Sequence, residues 1–194
     1  VRVFSGRTST GVRGIKLMGE DVIVSMSILC HSEIDTEARD AYIRIANAHR
    51  RAEGANGDGG GEHEAPSSED LSPERVAEFE AAEQFILSVT ENGYGKRTSA
   101  YEYRITNRGG QGIANIETSD RNGLVVASFP VDRHDQIMLV TDAGQVIRCP
   151  VDDIRIAGRR TQGVRLFNTA DDERVVSVAR LDESAIGDED EADE

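Results

Sequence analysis

Three arginines recur at one point of a repeated pattern. They lie in Gly6-Arg7-Thr8-Ser9-Thr10-Gly11-Val12, in Asn107-Arg108-Gly109-Gly110-Gln111-Gly112-Ile113 and in Gly158-Arg159-Arg160-Thr161-Gln162-Gly163-Val164. A cation held at the same place in each copy makes and breaks no bond. It offers positive charge at regular intervals, which suits a long, repetitive anionic ligand. No Ser/His/Asp or paired-carboxylate constellation for catalysis is visible. His31, His49, His63 and His134 are scattered, and Cys30 and Cys149 lack metal-ligand spacing. Both cysteines lie in or beside apolar strand-like runs, so buried free thiols of a reducing cytoplasm are expected.

The elements that must position these arginines repeat as well. Ser88-Val89-Thr90-Glu91-Asn92-Gly93 matches Leu139-Val140-Thr141-Asp142-Ala143-Gly144, 51 residues on, and Gly112 to Gly163 is again 51. Phe85–Thr90 and Gln136–Thr141 read as strands, each followed by a Gly-containing hairpin turn. Returning strands are expected over 95–98 and 146–149. Further strands follow over 164–167 and 175–178. Val24, Val125 and Val176 each stand thirteen residues after the last glycine of a copy. Four short strands per 51 residues fit a propeller-like blade rather than one irregular domain. The expected fold is all-β, built of blades of four antiparallel strands.

The spacing from Gly11 to Gly112 is 101, so one interval holds about 50 extra residues. Helical periodicity over 31–50 and the Ser72-Pro73-Glu74 start signal place two helices there, the second reaching about Gln84. The Gly-, Ser- and acid-rich stretch 54–70 between them reads as disordered. The expected organisation is 1–30 as part of one blade, 31–80 as a helical and disordered insertion in a hairpin turn, 81–181 as further blades, and 182–194 as a disordered acidic tail. The chain starts within the pattern at Val1-Arg2-Val3-Phe4, which reads as a fragment of a longer protein.

A net charge of −14 argues against a polyanionic ligand until it is located. Residues 31–80 carry 13 acids and 5 bases, and residues 182–194 carry 8 acids and no base. The remaining repeats hold 15 acids and 17 bases. The acidity therefore belongs to the insertion and the tail. A basic stripe on the repeats acts locally, within a Debye length of about 10 Å. No apolar run is long enough for a membrane-spanning helix.

The segments Gly11-Val12-Arg13-Gly14-Ile15-Lys16-Leu17, Glu91-Asn92-Gly93-Tyr94-Gly95-Lys96-Arg97-Thr98, Ile137-Met138-Leu139-Val140-Thr141-Asp142-Ala143-Gly144 and Gly158 to Val164 carry a specific resemblance. They are similar to the C-terminal DNA-wrapping domain of the DNA gyrase A subunit, over about 1–30 and 81–181. The resemblance implies a β-pinwheel around whose basic rim duplex DNA bends, with the last two to three blades held here. It implies a bacterial type II topoisomerase, cytoplasmic and nucleoid-associated, in an A2B2 assembly with the gyrase B subunit. The catalytic tyrosine would lie N-terminal to this chain, and ATP and magnesium would be held by the partner subunit. No cofactor is expected in this chain. The family's Gln-Arg-Arg-Gly-Gly-Lys-Gly box is not intact here; its nearest echo is Asn107 to Gly112, with fewer bases.

Physically, affinity for duplex DNA comes from Lys and Arg facing phosphates, without base reading. The candidates are Arg7, Arg13, Lys16, Lys96, Arg97, Arg108, Arg148, Arg159, Arg160 and Arg165. Backbone amides of the Gly-rich segments can add anion-binding nests. Tyr94, Tyr101 and Tyr103 are expected to pack a strand face. Two other readings stay open. One is the equivalent domain of the topoisomerase IV A subunit, which an intact box upstream would disfavour. The other is a protein-interaction propeller, which charge reversal at Arg7, Arg108 and Arg159 without loss of DNA binding would support.

Overall fold

The computed structural model describes residues 3–52 and 71–182. Helix α1 spans Thr36–Ala52 and α2 spans Pro73–Ala82. Strands follow as β1 (Phe85–Thr90), β2 (Tyr94–Ser99), β3 (Val125–Val131), β4 (Gln136–Thr141), β5 (Val146–Pro150), β6 (Val164–Arg165) and β7 (Val175–Leu181). One short 3-10 turn, Ala100–Glu102, closes β2. The expected strands over 85–90 and 136–141 match β1 and β4 residue for residue.

The repeat holds at the level of single hydrogen bonds. Ala100 donates to the Gln84 carbonyl at 2.8 Å, and Val151, 51 residues on, donates to the Asp135 carbonyl at 2.9 Å. Gly93 N–H reaches the Thr90 carbonyl and Gly144 N–H the Thr141 carbonyl, both at 3.1 Å. Each glycine turns the chain with positive φ, +74° and +82°, a region that side chains with a Cβ rarely enter.

The strands form two antiparallel sheets, ordered β3-β1-β2-β6 and β5-β4-β7. The first is a blade of four antiparallel strands, as expected, but its fourth strand comes from the next repeat. β6 belongs to the second repeat yet pairs with β2 of the first, Tyr94 opposite Arg165 and Gly95 opposite Val164. Two facing glycine positions make this approach possible, since a Cβ on Gly163 would stand 2.7 Å from the Gly95 carbonyl oxygen. β6 is also shorter than the expected 164–167. A second difference concerns the last strand of each repeat. Thr90 pairs with Val125, whereas Thr141 pairs with Val175, so the mate of Val125 is Val175 and not Val176. The 119–123 turn of the first repeat, closed by Gly123 N–H on the Ser119 carbonyl, accounts for the slip of one residue.

Between the sheets lies one apolar core. Leu87, Val89, Ile137, Leu139 and Val151 are fully buried, joined by Ile154, Val175 and Val131. Aliphatic side chains, most of them β-branched, carry it, as a chain without Trp requires. Two buried polar plugs hold the turns beside it. Asn122 receives Ser119 N–H and donates to the Glu117 and Gln162 carbonyls, and Glu173 receives Ala170 N–H and the Gln145 amide.

The two helices begin on polar caps. Ser72 Oγ accepts Arg75 N–H and Pro73 opens α2, while Asp35 Oδ1 accepts Ala38 N–H at the start of α1. Tyr42 of α1, Phe79 of α2 and Tyr101 of the 3-10 turn meet edge to face, with centroids 5.5 to 6.3 Å apart. Glu83, nearly buried, accepts Tyr42 Oη–H at 2.9 Å and Arg50 Nη2–H at 2.6 Å. α2 ends at Ala82, two residues short of the expected end near Gln84. The expected disordered stretch 54–70 and, apart from Asp182, the acidic tail lie outside the described residues.

Residues 3–30 hold no regular strand. They are tied to the repeats by backbone bonds from Gly109 N–H to Gly14 and from Lys16 N–H to Gly110, and by Ser25 Oγ to the Ser128 carbonyl. The cysteines depart from expectation. Cys30 is exposed, because its backbone, not its thiol, is engaged: the Gln84 side-chain amide bonds both its N–H and its carbonyl. Cys149 is half-buried, and burial pushes its thiol pKa up.

Candidate nucleic-acid interface

The ten candidate cations fall into three environments. Arg7, Arg13, Lys16, Arg108, Arg148 and Arg160 are exposed. Three of them are brought together by main chain. The 2.6 Å bond from Gly109 to Gly14 and the 2.8 Å bond from Lys16 to Gly110 set the Arg13–Lys16 segment beside Arg108. The segment just after the first copy of the Arg–Gly pattern thus runs beside the second copy. Glycine is needed where they approach, because Gly109 and Gly112 both carry φ near +80° (+81° and +78°). Arg148 is steadied by Gln136, its diagonal neighbour on β4, whose Oε1 accepts Nε–H.

Lys96 and Arg97 do not face solvent. All six residues of β2 are buried, since β1 flanks one edge and β6 and the 155–157 backbone flank the other. Lys96 Nζ donates to the carbonyls of Gly158 (2.5 Å) and Arg159 (2.8 Å) and to Thr161 Oγ1 (3.2 Å). Burial pushes its ammonium pKa down to about 8. Arg97 donates from Nε to the Ile154 carbonyl at 2.6 Å and from Nη2 to the Asp152 carbonyl at 3.0 Å. Burial lowers its pKa, and the Asp152 carboxylate opposes that shift. These two cations are buried and hold the 152–161 backbone.

Arg159 and Arg165 are intermediate cases. Arg159 N–H is capped by Glu102 Oε2 at 2.9 Å, and its Nη1 donates to the Ala114 carbonyl at 2.6 Å. Its guanidinium lies 5.9 Å from the Tyr103 ring. Burial raises the Tyr103 phenol to about 12, so it stays a neutral donor, bonded to Asn115 Oδ1. Arg159 is therefore half engaged within the fold, while Arg7 and Arg108 at the same repeat position are exposed. Arg165 is exposed and donates to Tyr94 Oη at 2.7 Å and Asn168 Oδ1 at 3.1 Å.

Sequence reasoning missed one cation here. Arg121 Nε also donates to Tyr94 Oη, at 3.3 Å, and both guanidiniums lie 5.1 Å from the Tyr94 centroid. Tyr94 itself is buried, as expected, and the two hydrogen bonds from the arginines lower its phenol pKa. Arg121 does not recur along the chain, so the repeat pattern gave no signal for it. Only the register that sets Tyr94 opposite Arg165 reveals the pair.

Among the described residues no group of three or more His, Cys, Asp or Glu is placed to hold a metal ion, and no helix is long and apolar enough to cross a membrane. What the surface offers is fixed cations and glycine-rich backbone.

A family model described as the DNA gyrase C-terminal domain, β-propeller, matches residues 1–30, 84–132 and 135–182. The unmatched 31–83 contains α1 and α2. The DNA gyrase A subunit of Granulibacter bethesdensis is 52% identical over 187 residues, covering 92% of this chain and 20% of that protein. The DNA gyrase A subunit of Rickettsia bellii is 44% identical over 196 residues, covering 100% of this chain and 21% of that protein. The chain thus spans about a fifth of the length of these curated relatives. Among solved structures, a DNA gyrase A C-terminal domain is 27% identical with a TM-score of 0.48, over 50% of this chain and 33% of that one. The matched segments take in both sheets and the Arg–Gly strip before the insertion, and on them the chain belongs to the family of DNA gyrase C-terminal β-propeller domains.

Proposed function

We propose that this chain binds, bends and wraps duplex DNA without reading its sequence, as the C-terminal module of a gyrase A subunit. The observation that carries the reading is the basic strip in which main-chain bonds fix the Arg13–Lys16 segment beside Arg108. Such cations neutralise phosphates and release counterions, an interaction indifferent to base sequence. Bending a 20–30 base-pair site by 40–90° costs on the order of 1–6 kcal/mol, so contacts must be spread along the duplex. One basic turn per repeat supplies that spread.

In this reading the wrapped segment presents a neighbouring duplex to the gate of the whole topoisomerase, biasing strand passage toward negative supercoils. The relatives' name supports membership of a multi-subunit gyrase; in this reading the assembly is an A2B2 heterotetramer with the gyrase B subunit, in the bacterial cytoplasm and associated with the nucleoid. ATP and magnesium belong to the partner subunit, and no step assigned to this chain uses them.

The test is ligation of nicked circular plasmid with the intact parent domain, followed by the linking-number change. A stoichiometric positive shift is expected. Binding without a shift would favour a tethering domain of the topoisomerase IV kind. No binding at low salt would overturn the DNA reading in favour of a protein partner.

A further inference from the structure

Arg121, Tyr94 and Arg165 form a constellation that the repeat does not explain. Tyr94 is 3% exposed, yet its hydroxyl oxygen accepts from two exposed arginines at 3.3 and 2.7 Å. The two donor nitrogens therefore lie within about 6 Å of each other. Among the described residues, neither guanidinium has a carboxylate within salt-bridge distance. Two like charges gathered on a neutral phenol repel one another and are relieved by an anion that binds both.

The frame around them is rigid. Asn92 Nδ2 donates to the Asp120 and Arg121 carbonyls, and fully buried Asn122 bonds Ser119, Glu117 and Gln162. Arg165 is fixed by its pairing opposite Tyr94 and by Asn168. The arginines come from different repeats and meet only because β6 crosses to β2. One repeat on, the mate of Tyr94 is Gln145, and that of Arg121 is Asp171 or Asp172, according to the slip. The second repeat therefore has no equivalent pair.

We propose that Arg121 and Arg165, held by Tyr94, form a phosphodiester clamp at the junction of the two repeats. The inference rests on the DNA-binding reading and adds to it a fixed point on the duplex path. Arg121 and Arg165 contact phosphate, and Tyr94 is the positioning residue. A guanidinium pair suits a phosphate group because each presents a fork of N–H donors to its oxygens.

The test measures how the duplex affinity of the intact parent protein depends on salt concentration, for wild type, Arg121→Gln, Arg165→Gln, Tyr94→Phe and Arg75→Gln. Arg75 is an exposed arginine of α2 paired with Glu78 and serves as the charge-matched control. Each clamp arginine should flatten the slope of log K against log salt by about 0.9, the loss of one phosphate contact. Arg75→Gln should keep the wild-type slope. Arg121→Lys and Arg165→Lys should also keep it while weakening binding, since the charge stays and the fork is lost. Tyr94→Phe should weaken binding with both charges in place. Circular dichroism melts confirm that the variants fold, and the lysine variants carry the comparison should a glutamine variant melt early. Slopes for Arg121→Gln and Arg165→Gln that coincide with Arg75→Gln, in a wild type that binds duplex, would overturn the clamp alone. That would also be the result if the pair held carboxylates of the acidic tail. Absence of duplex binding by wild type would overturn the DNA reading and the clamp with it.

Discussion

Lys96 reaches from the first repeat to the main chain of the second, where its Nζ lies 2.8 Å from the carbonyl oxygen of Arg159. Gly158 and Thr161 complete the cradle. The ammonium is thus a buried brace for the turn that carries Arg159 and Arg160. Lys96→Met keeps most of the stem and removes the charge, taking the ammonium donor from the Gly158 and Arg159 carbonyls and leaving Gly158 with the Thr161 hydroxyl. It should cost about 2 kcal/mol of stability at neutral pH. A pH signature separates this from lost packing. Burial pushes the Lys96 pKa down to about 8, whereas the unfolded side chain titrates near about 10.4. Between those values the unfolded chain binds the proton more tightly, so stability should rise with pH, by at most about 1.4 kcal/mol per pH unit. Below about pH 8 both states are protonated and this contribution to the slope vanishes. Urea denaturation across the window should show the rise in wild type and lose it in Lys96→Met. Equal pH slopes would contradict the brace.

The insertion is anchored by a buried ion pair. Arg50 and Glu83 meet at 2.6 Å with side chains only 14% and 4% exposed, and Tyr42 donates to the same carboxylate oxygen. Removing one partner strands the other's charge. Arg50→Met should therefore cost about 3–5 kcal/mol, and Tyr42→Phe about 1–2 kcal/mol. Hydrogen exchange should show α1 amides losing protection first in both variants. Losses below about 1 kcal/mol from both would mean that the pair behaves as a solvent-screened surface bridge.

Much of this arrangement is legible in the chain itself. The apolar runs Phe85–Thr90 and Gln136–Thr141, the turn glycines Gly93 and Gly144, and the Ser72-Pro73 start of α2 are local signals, and local physics decides them. The partner of Val164-Arg165 is not local. A strand exchanged with the next repeat has the same sequence pattern as one kept at home, so only three-dimensional register shows that it meets Tyr94 and Gly95. Lys96 and Arg97 mislead for a related reason. Charge predicts exposure until both strand edges are covered, and then carbonyl oxygens replace water as partners. Arg121 is missed because a repeat-based search finds only what recurs.

The exchanged strand makes a sharp prediction about glycine. Gly144 and Gly163 share positive φ, +82° and +79°, yet an added Cβ has nothing within 4 Å at Gly144 and meets the Gly95 carbonyl at 2.7 Å at Gly163. Gly144→Ala should cost only the left-handed backbone penalty, about 1–2 kcal/mol. Gly163→Ala should add about 1–3 kcal/mol of overpacking by forcing β6 off β2. Thermal melts of the two variants measure the difference. Equal melting temperatures would show that β6 is not tightly seated.

The acidic tail supplies the last prediction. Residues 182–194 hold eight carboxylates and no base, and the repeats they follow carry the exposed Arg13, Lys16 and Arg108 strip. Carboxylates tethered to the same chain compete with phosphate for such cations at high local concentration. Deleting 182–194 should therefore tighten duplex binding at low salt and alter the linking-number shift. The gain should fade as salt rises, because the Debye length shrinks from about 10 Å at 0.1 M to about 3 Å at 1 M. Fluorescence anisotropy on one duplex, with and without the tail, measures both limits. Unchanged affinity at matched low salt would reduce the tail to a solubility element, since a competitor that occupies the cations must be displaced before DNA can bind.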